Sequence, residues 1–141
     1  MALAGNLVMA TPAVLPESST PASPVEEIQK TDPACTSKAC VKALIEFYAD
    51  MYGVDRKVAL KVAECESEFK TTATGDSGKA YGVFQFHKPT FKEFAKEFGD
   101  ESLEYKNTEH AIELAVWALA QGKGYHWTCY RNLPAKVLAT K

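Results

Sequence analysis

A lone glutamate near the end of an apolar helical pattern is the residue of this sequence best suited to chemistry. Glu66 stands in Cys65-Glu66-Ser67-Glu68-Phe69, one turn beyond Val62 and at the border of an apolar stripe. A carboxyl group there is partly desolvated, and desolvation favours its neutral form. A carboxylic acid that stays protonated near neutral pH can give its proton to a departing oxygen. Cleavage of a glycosidic bond needs such a donor, because the leaving oxygen is protonated while positive charge builds on the sugar. A glutamate on a helix border is, taken alone, more often a solvated surface residue, so its surroundings matter.

Those surroundings read as helices around one irregular insert. Val41, Leu44, Ile45 and Tyr48 recur at helical spacing from Lys38, and Gly53 stops that segment. Asp55 is placed to cap a second helix in which Val58, Val62, Cys65 and Phe69 share one stripe. Residues 71–86, TTATGDSGKAYGVFQF, carry three glycines and predict turns with a small hairpin. Helical spacing returns with Phe91, Phe94, Ala95 and Phe98, closed by Gly99. A last long helix is predicted from about Asn107 to Gln121, burying Ile112, Ala115 and Leu119 and ending at Gly122. The segment GKGYHWTCYRNLP that follows reads as an aromatic-rich loop. The expected fold class is mainly α (α+β), over residues 35–141.

The chain has 141 residues and a formal net charge of −2, enough for one domain and no argument for a nucleic-acid partner, which asks for a clustered basic face. All its aromatic residues lie at or after Phe47, and Pro12, Pro16, Pro21, Pro24 and Pro33 precede Cys35. Residues 1–34 therefore read as a disordered tail, or as the remnant of a secretion signal and linker. Residues 2–15 are mildly apolar but no Lys or Arg precedes Lys30, and no stretch approaches a membrane span. The four cysteines, Cys35, Cys40, Cys65 and Cys129, form an even set in a small domain, as in a disulfide framework outside the cytosol. Count alone allows three pairings, and buried free thiols are the other reading. Their spacing is unlike paired structural-zinc knuckles, and no metal or other cofactor is expected.

Glu66-Ser67-x-Phe69, a polar glycine-containing loop, then Tyr81-Gly82-Val83-Phe84-Gln85-Phe86 and Thr90-Phe91 together resemble the soluble lytic transglycosylases and other lysozyme-like enzymes of bacterial cell walls. The approach Tyr52-Gly53-Val54-Asp55 resembles them too. Cys65-Glu66-Ser67, Gly82-Val83-Phe84-Gln85-Phe86 and the ending Leu119-Ala120-Gln121-Gly122-Lys123-Gly124 with Trp127 and Cys129 are similar to the resuscitation-promoting factors, a compact branch of the same fold. Together these resemblances cover about residues 43–131.

The resemblance implies a lysozyme-like helical domain acting on peptidoglycan glycan strands, as a monomer, secreted or periplasmic and associated with the cell wall. It implies Glu66 as general acid and then base, with Gln85 bonded to sugar groups beside the cleaved bond. Tyr81 and Trp127 would line the cleft and stack on sugars, Thr74 and Asp76 would face it from the loop, and Gly82 would permit close backbone approach. It implies a Cys65–Cys129 disulfide, which leaves Cys35 and Cys40 as a local pair. Ser67 is expected only to fix the helix end, and His87, His110 and His126 to be surface or packing residues. The motifs hold no clear second carboxylate. That favours a transglycosylase, in which the 6-hydroxyl of N-acetylmuramic acid attacks its own anomeric carbon, so a tethered nucleophile replaces an activated water. The late Ala-Tyr-Asn-x-Gly segment of soluble transglycosylases is missing, which leaves a hydrolytic muramidase as one alternative; a non-catalytic peptidoglycan-binding module of the same fold is the other.

Overall fold

A computed structural model describes residues 34–139. The tail expected over residues 1–34 lies, apart from Ala34, outside the described residues. Helix α1 (Lys38–Tyr52) begins where the Ser37 hydroxyl accepts from the Cys40 amide at 3.1 Å, and ends at Gly53, whose φ of 73° turns its N–H back onto the carbonyls of Ala49 and Asp50. Helix α2 (Arg56–Ser67) starts at Asp55, whose carboxylate accepts from the Lys57 amide at 2.7 Å. Its buried face is Val58, Ala59, Val62, Ala63 and Ser67. Cys65 is exposed, so the stripe expected through Val58, Val62, Cys65 and Phe69 fails at Cys65 alone, and Ala63 and Ser67 are buried instead. Phe69 is buried beyond the helix, which stops because Glu68 and Phe69 both take left-handed conformations, with φ of 53° and 65°.

The insert is a three-stranded antiparallel sheet of two-residue strands in the order β1 (Thr74–Gly75), β2 (Ala80–Tyr81), β3 (Phe86–His87). Gly75 pairs with Ala80, Ala80 with His87 and Tyr81 with Phe86. Helix α3 (Lys88–Phe98) buries Phe91, Phe94 and Ala95 and ends at Gly99.

Helix α4 (Thr108–Ala120) buries Ala111, Ile112, Leu114, Ala115, Val116 and Ala118. The single face expected through Leu119 is therefore too narrow: α1 and α3 both pack on this helix, and Leu119 is only partly covered. The hydroxyls of Tyr48 and Tyr52 donate to Glu109 and Glu113, each at 2.8 Å. Both pairs step by four residues on both helices, so α1 and α4 run side by side in the same direction. Burial and the adjacent carboxylates push both phenols up, Tyr52 to about 12.

The segment expected as a loop, residues 122–134, contains a 3₁₀ turn (Gly124–His126) and a short helix, α5 (Thr128–Arg131), and a second short helix, α6 (Ala135–Leu138), follows it. Two contacts order it. Trp127 is buried against Phe84, Phe86 and Phe94 with ring centroids 5.4–6.3 Å apart. Cys129 is bonded to Cys65, and Cys35 to Cys40. Among the described residues no helix is long and apolar enough to cross a membrane, and no group of side chains could hold a metal ion.

The Cys65–Cys129 bond closes a loop of 64 residues, which constrains the unfolded chain by roughly 4 kcal/mol in the chain-entropy description. Replacing both cysteines by Ser is expected to lower the unfolding free energy in urea by about that amount. The same change at Cys35 and Cys40 is expected to lower it by roughly half as much.

Candidate active site

Glu66 occupies the last turn of α2 and is half-buried. Its Oε1 accepts from the backbone N–H of Cys129 at 3.4 Å, next to the disulfide that binds Cys65 to that same residue. Burial raises the carboxyl above its ordinary value near 4.5, opposed by the Cys129 N–H and the positive charge of Arg131. Desolvation outweighs both, so the group is biased towards the protonated acid.

Glu66 opens into a cleft of about 550 Å³ whose wall also includes Asp76, Gln85, His87, Thr90, His126, Trp127 and Thr128. One wall is the turn between β2 and β3, where Val83 and Phe84 are buried without strand partners. Its carbonyls are satisfied by side chains. The Ser67 hydroxyl donates to Val83 O at 2.7 Å, and the Trp127 indole N–H to Phe84 O at 2.7 Å. Gln85 Nε2 donates to Gly82 O at 2.8 Å and Ala73 O at 2.9 Å. The Tyr105 hydroxyl donates to Phe86 O at 2.6 Å. Ser67 thus does more than end a helix: it ties the residue after Glu66 to the turn that carries Gln85.

Of the residues expected at the site, Glu66, Gln85, Asp76 and Trp127 share the cleft. Trp127 is only 5% exposed and its N–H is engaged, which makes it a floor with little face to offer a sugar. Tyr81, Thr74 and Gly82 are not on this wall. The ring of Tyr81 lies 6.0 Å from that of Tyr105 and under Lys106, and Thr74 is exposed on β1. Gly82 is needed for its φ of 85°, whereas the close approach expected of it belongs to Gly75. A Cβ on Gly75 would collide with Gln85 Oε1, while the nearest atom to one on Gly82 is 3.8 Å away.

His87 and His126, expected as surface or packing residues, both line the cleft. His126 also packs edge-on against Phe94 at 4.9 Å, and His110 Nδ1 accepts from the Glu104 amide at 3.0 Å. His87 Nε2 lies 3.0 Å from the Asp76 carboxylate. No motif signals that pair, because it is made by the strand register and the turn between β1 and β2.

In comparison with known proteins, the family model described as Transglycosylase SLT domain matches residues 43–130. No curated protein and no solved structure matches the chain.

Two outcomes follow from this geometry. Gly75→Ala, which displaces the Gln85 amide, is expected to cost about 1–3 kcal/mol of stability in denaturant unfolding, while Gly82→Ala acts only through its left-handed backbone. Because burial raises Glu66, its ionised form weakens the fold above the folded-state pKa, and that penalty vanishes below the unfolded value near 4.5. Glu66→Gln is therefore expected to melt higher than the parent at pH 7, with the advantage fading by pH 4. A variant that melts lower at pH 7 would contradict the desolvated acid.

Proposed function

The chain belongs to the transglycosylase SLT domain family, a family of peptidoglycan-cleaving lytic transglycosylases, and from that premise we propose that Glu66 makes it an active member. The bond cut is the β-1,4 link between N-acetylmuramic acid and N-acetylglucosamine. The observation that carries this reading is a half-buried carboxylic acid, raised by desolvation, opening into a cleft of about 550 Å³.

Glu66 gives its proton to the glycosidic oxygen as the bond to the anomeric carbon breaks. The 6-hydroxyl of the same muramic acid then bonds to that carbon and returns its proton to Glu66. The product is a 1,6-anhydro sugar, no water is consumed, and the acid is regenerated. What supports a tethered nucleophile over an activated water is the state of the other carboxylate on the wall: Asp76 is engaged by His87.

Gln85 contacts the sugar through Oε1, since Nε2 already donates to two carbonyls. Trp127 forms the cleft floor, and Tyr81 with Thr74 and Gly82 belongs to more distant sugar positions along the insert. The Cys65–Cys129 bond and the Trp127 contact with Phe84 O support kinship of the C-terminal end with the resuscitation-promoting factors. Two disulfides suit a site outside the cytosol, where peptidoglycan lies.

The test is mass spectrometry of purified peptidoglycan digested by the protein. Fragments lighter by one water than the hydrolytic products are expected, and Glu66→Gln is expected to lower their rate of release by about 10²–10⁴-fold. Hydrolytic products would replace the transglycosylase by a muramidase. Undiminished release by Glu66→Gln would remove the role assigned to Glu66.

A further inference from the structure

We infer that Asp76 and His87 form an acceptor for a hydroxyl of the bound glycan strand, an inference that rests on the glycan-cleaving function proposed above. Both side chains line the cleft that holds Glu66. Sheet register brings them together: β3 pairs His87 with Ala80 of β2, and Asp76 opens the turn that joins β1 to β2.

That turn is conformationally costly. Asp76 and Ser77 are consecutive non-glycine residues with φ of 52° and 57°, a region that such residues occupy mainly where the surroundings or a function demand it. Fold stability is a weak reason for the pair, because the side chains are 44% and 63% exposed and ion pairs so exposed contribute little. Helix capping does not use the imidazole either. His87 is the N-cap of α3, yet its side chain makes no capping hydrogen bond.

The chemistry follows from which nitrogen is held. With Nε2 3.0 Å from the Asp76 carboxylate, a neutral ring that turns its N–H towards that carboxylate carries its lone pair on Nδ1. Among the described residues Nδ1 has no hydrogen-bond partner. A glycan strand is rich in hydroxyl donors, and an oriented imidazole lone pair is a matching acceptor. Asp76 is then a positioning residue that fixes the tautomer, and His87 makes the contact.

The experiment is steady-state cleavage of stem-peptide-free glycan strands by the full chain and four variants, with melting temperatures recorded alongside. His87→Ala is expected to raise KM about tenfold, the worth of one hydrogen bond, with kcat little changed. Asp76→Asn can turn the tautomer round by donating to Nε2, and is expected to raise KM similarly without changing the melting temperature. His87→Asn, whose Oδ1 takes roughly the place of Nδ1, is expected to recover most of the loss. Combining His87→Ala with Asp76→Asn is expected to be no worse than His87→Ala alone. An unchanged KM, a loss confined to kcat, or a fall in melting temperature with KM intact overturns the acceptor while leaving the proposed function standing. A parent chain that neither binds nor cleaves these strands overturns both.

Discussion

A buried turn with no strand partner must find donors for its carbonyls elsewhere, and that requirement organises this domain. Val83 and Phe84 lie inside, at 2% and 0% exposure, where an unsatisfied carbonyl would cost on the order of 1–3 kcal/mol. The carbonyls of Gly82, Val83, Phe84 and Phe86 are taken by Gln85, Ser67, Trp127 and Tyr105. These donors come from the turn itself, the end of α2, the C-terminal segment and the connection between α3 and α4. The Gln85 bond closes the turn on itself, and the other three fasten the insert to different parts of the frame. Removing a donor leaves a buried acceptor orphaned, so the turn, α2 and the C-terminal segment are energetically coupled.

Glu66 gains its character from that coupling. Its neighbour Ser67 is locked to the turn, and its other neighbour Cys65 is locked to Cys129. These two ties fix the backbone on either side of the carboxyl. It is held between burial, which favours the neutral acid, and two opposing influences, the Cys129 N–H and Arg131. Such a balance leaves an acid that keeps its proton more readily than an exposed glutamate and can still exist as the anion. An acid that serves as donor and then acceptor needs both forms to be accessible.

The helical frame and the insert divide the work. Helices α1 and α4 are joined by two tyrosine–glutamate hydrogen bonds that repeat at one-turn spacing, and α4 is buried on most of its circumference. Left-handed backbone at non-glycine residues is concentrated instead at the end of α2 and in the insert, at Glu68, Phe69, Asp76, Ser77 and Gln85. Conformational cost thus gathers around the cleft, and the frame that supports it is regular.

The amino-acid sequence by itself determined the four long helices, because Ser37, Asp55, Asn107 and the glycines at 53 and 99 act locally and the apolar spacing needs no partner to be read. It also located Glu66 and Gln85, whose residue types and neighbours carry a short motif. Tertiary structure alone decided the rest. The buried face of α2 passes beside Cys65, which bonds to Cys129 instead, and α4 is buried more widely than one stripe because two helices cover it. The aromatic C-terminal segment forms short helices because Trp127 and Cys129 are anchored by residues more than forty positions away. Asp76 meets His87, and Gly75 rather than Gly82 yields space to Gln85, through strand register and side-chain packing. Local patterns report what a residue does to its own backbone; contacts between distant segments depend on the path of the whole chain and leave no spacing to read.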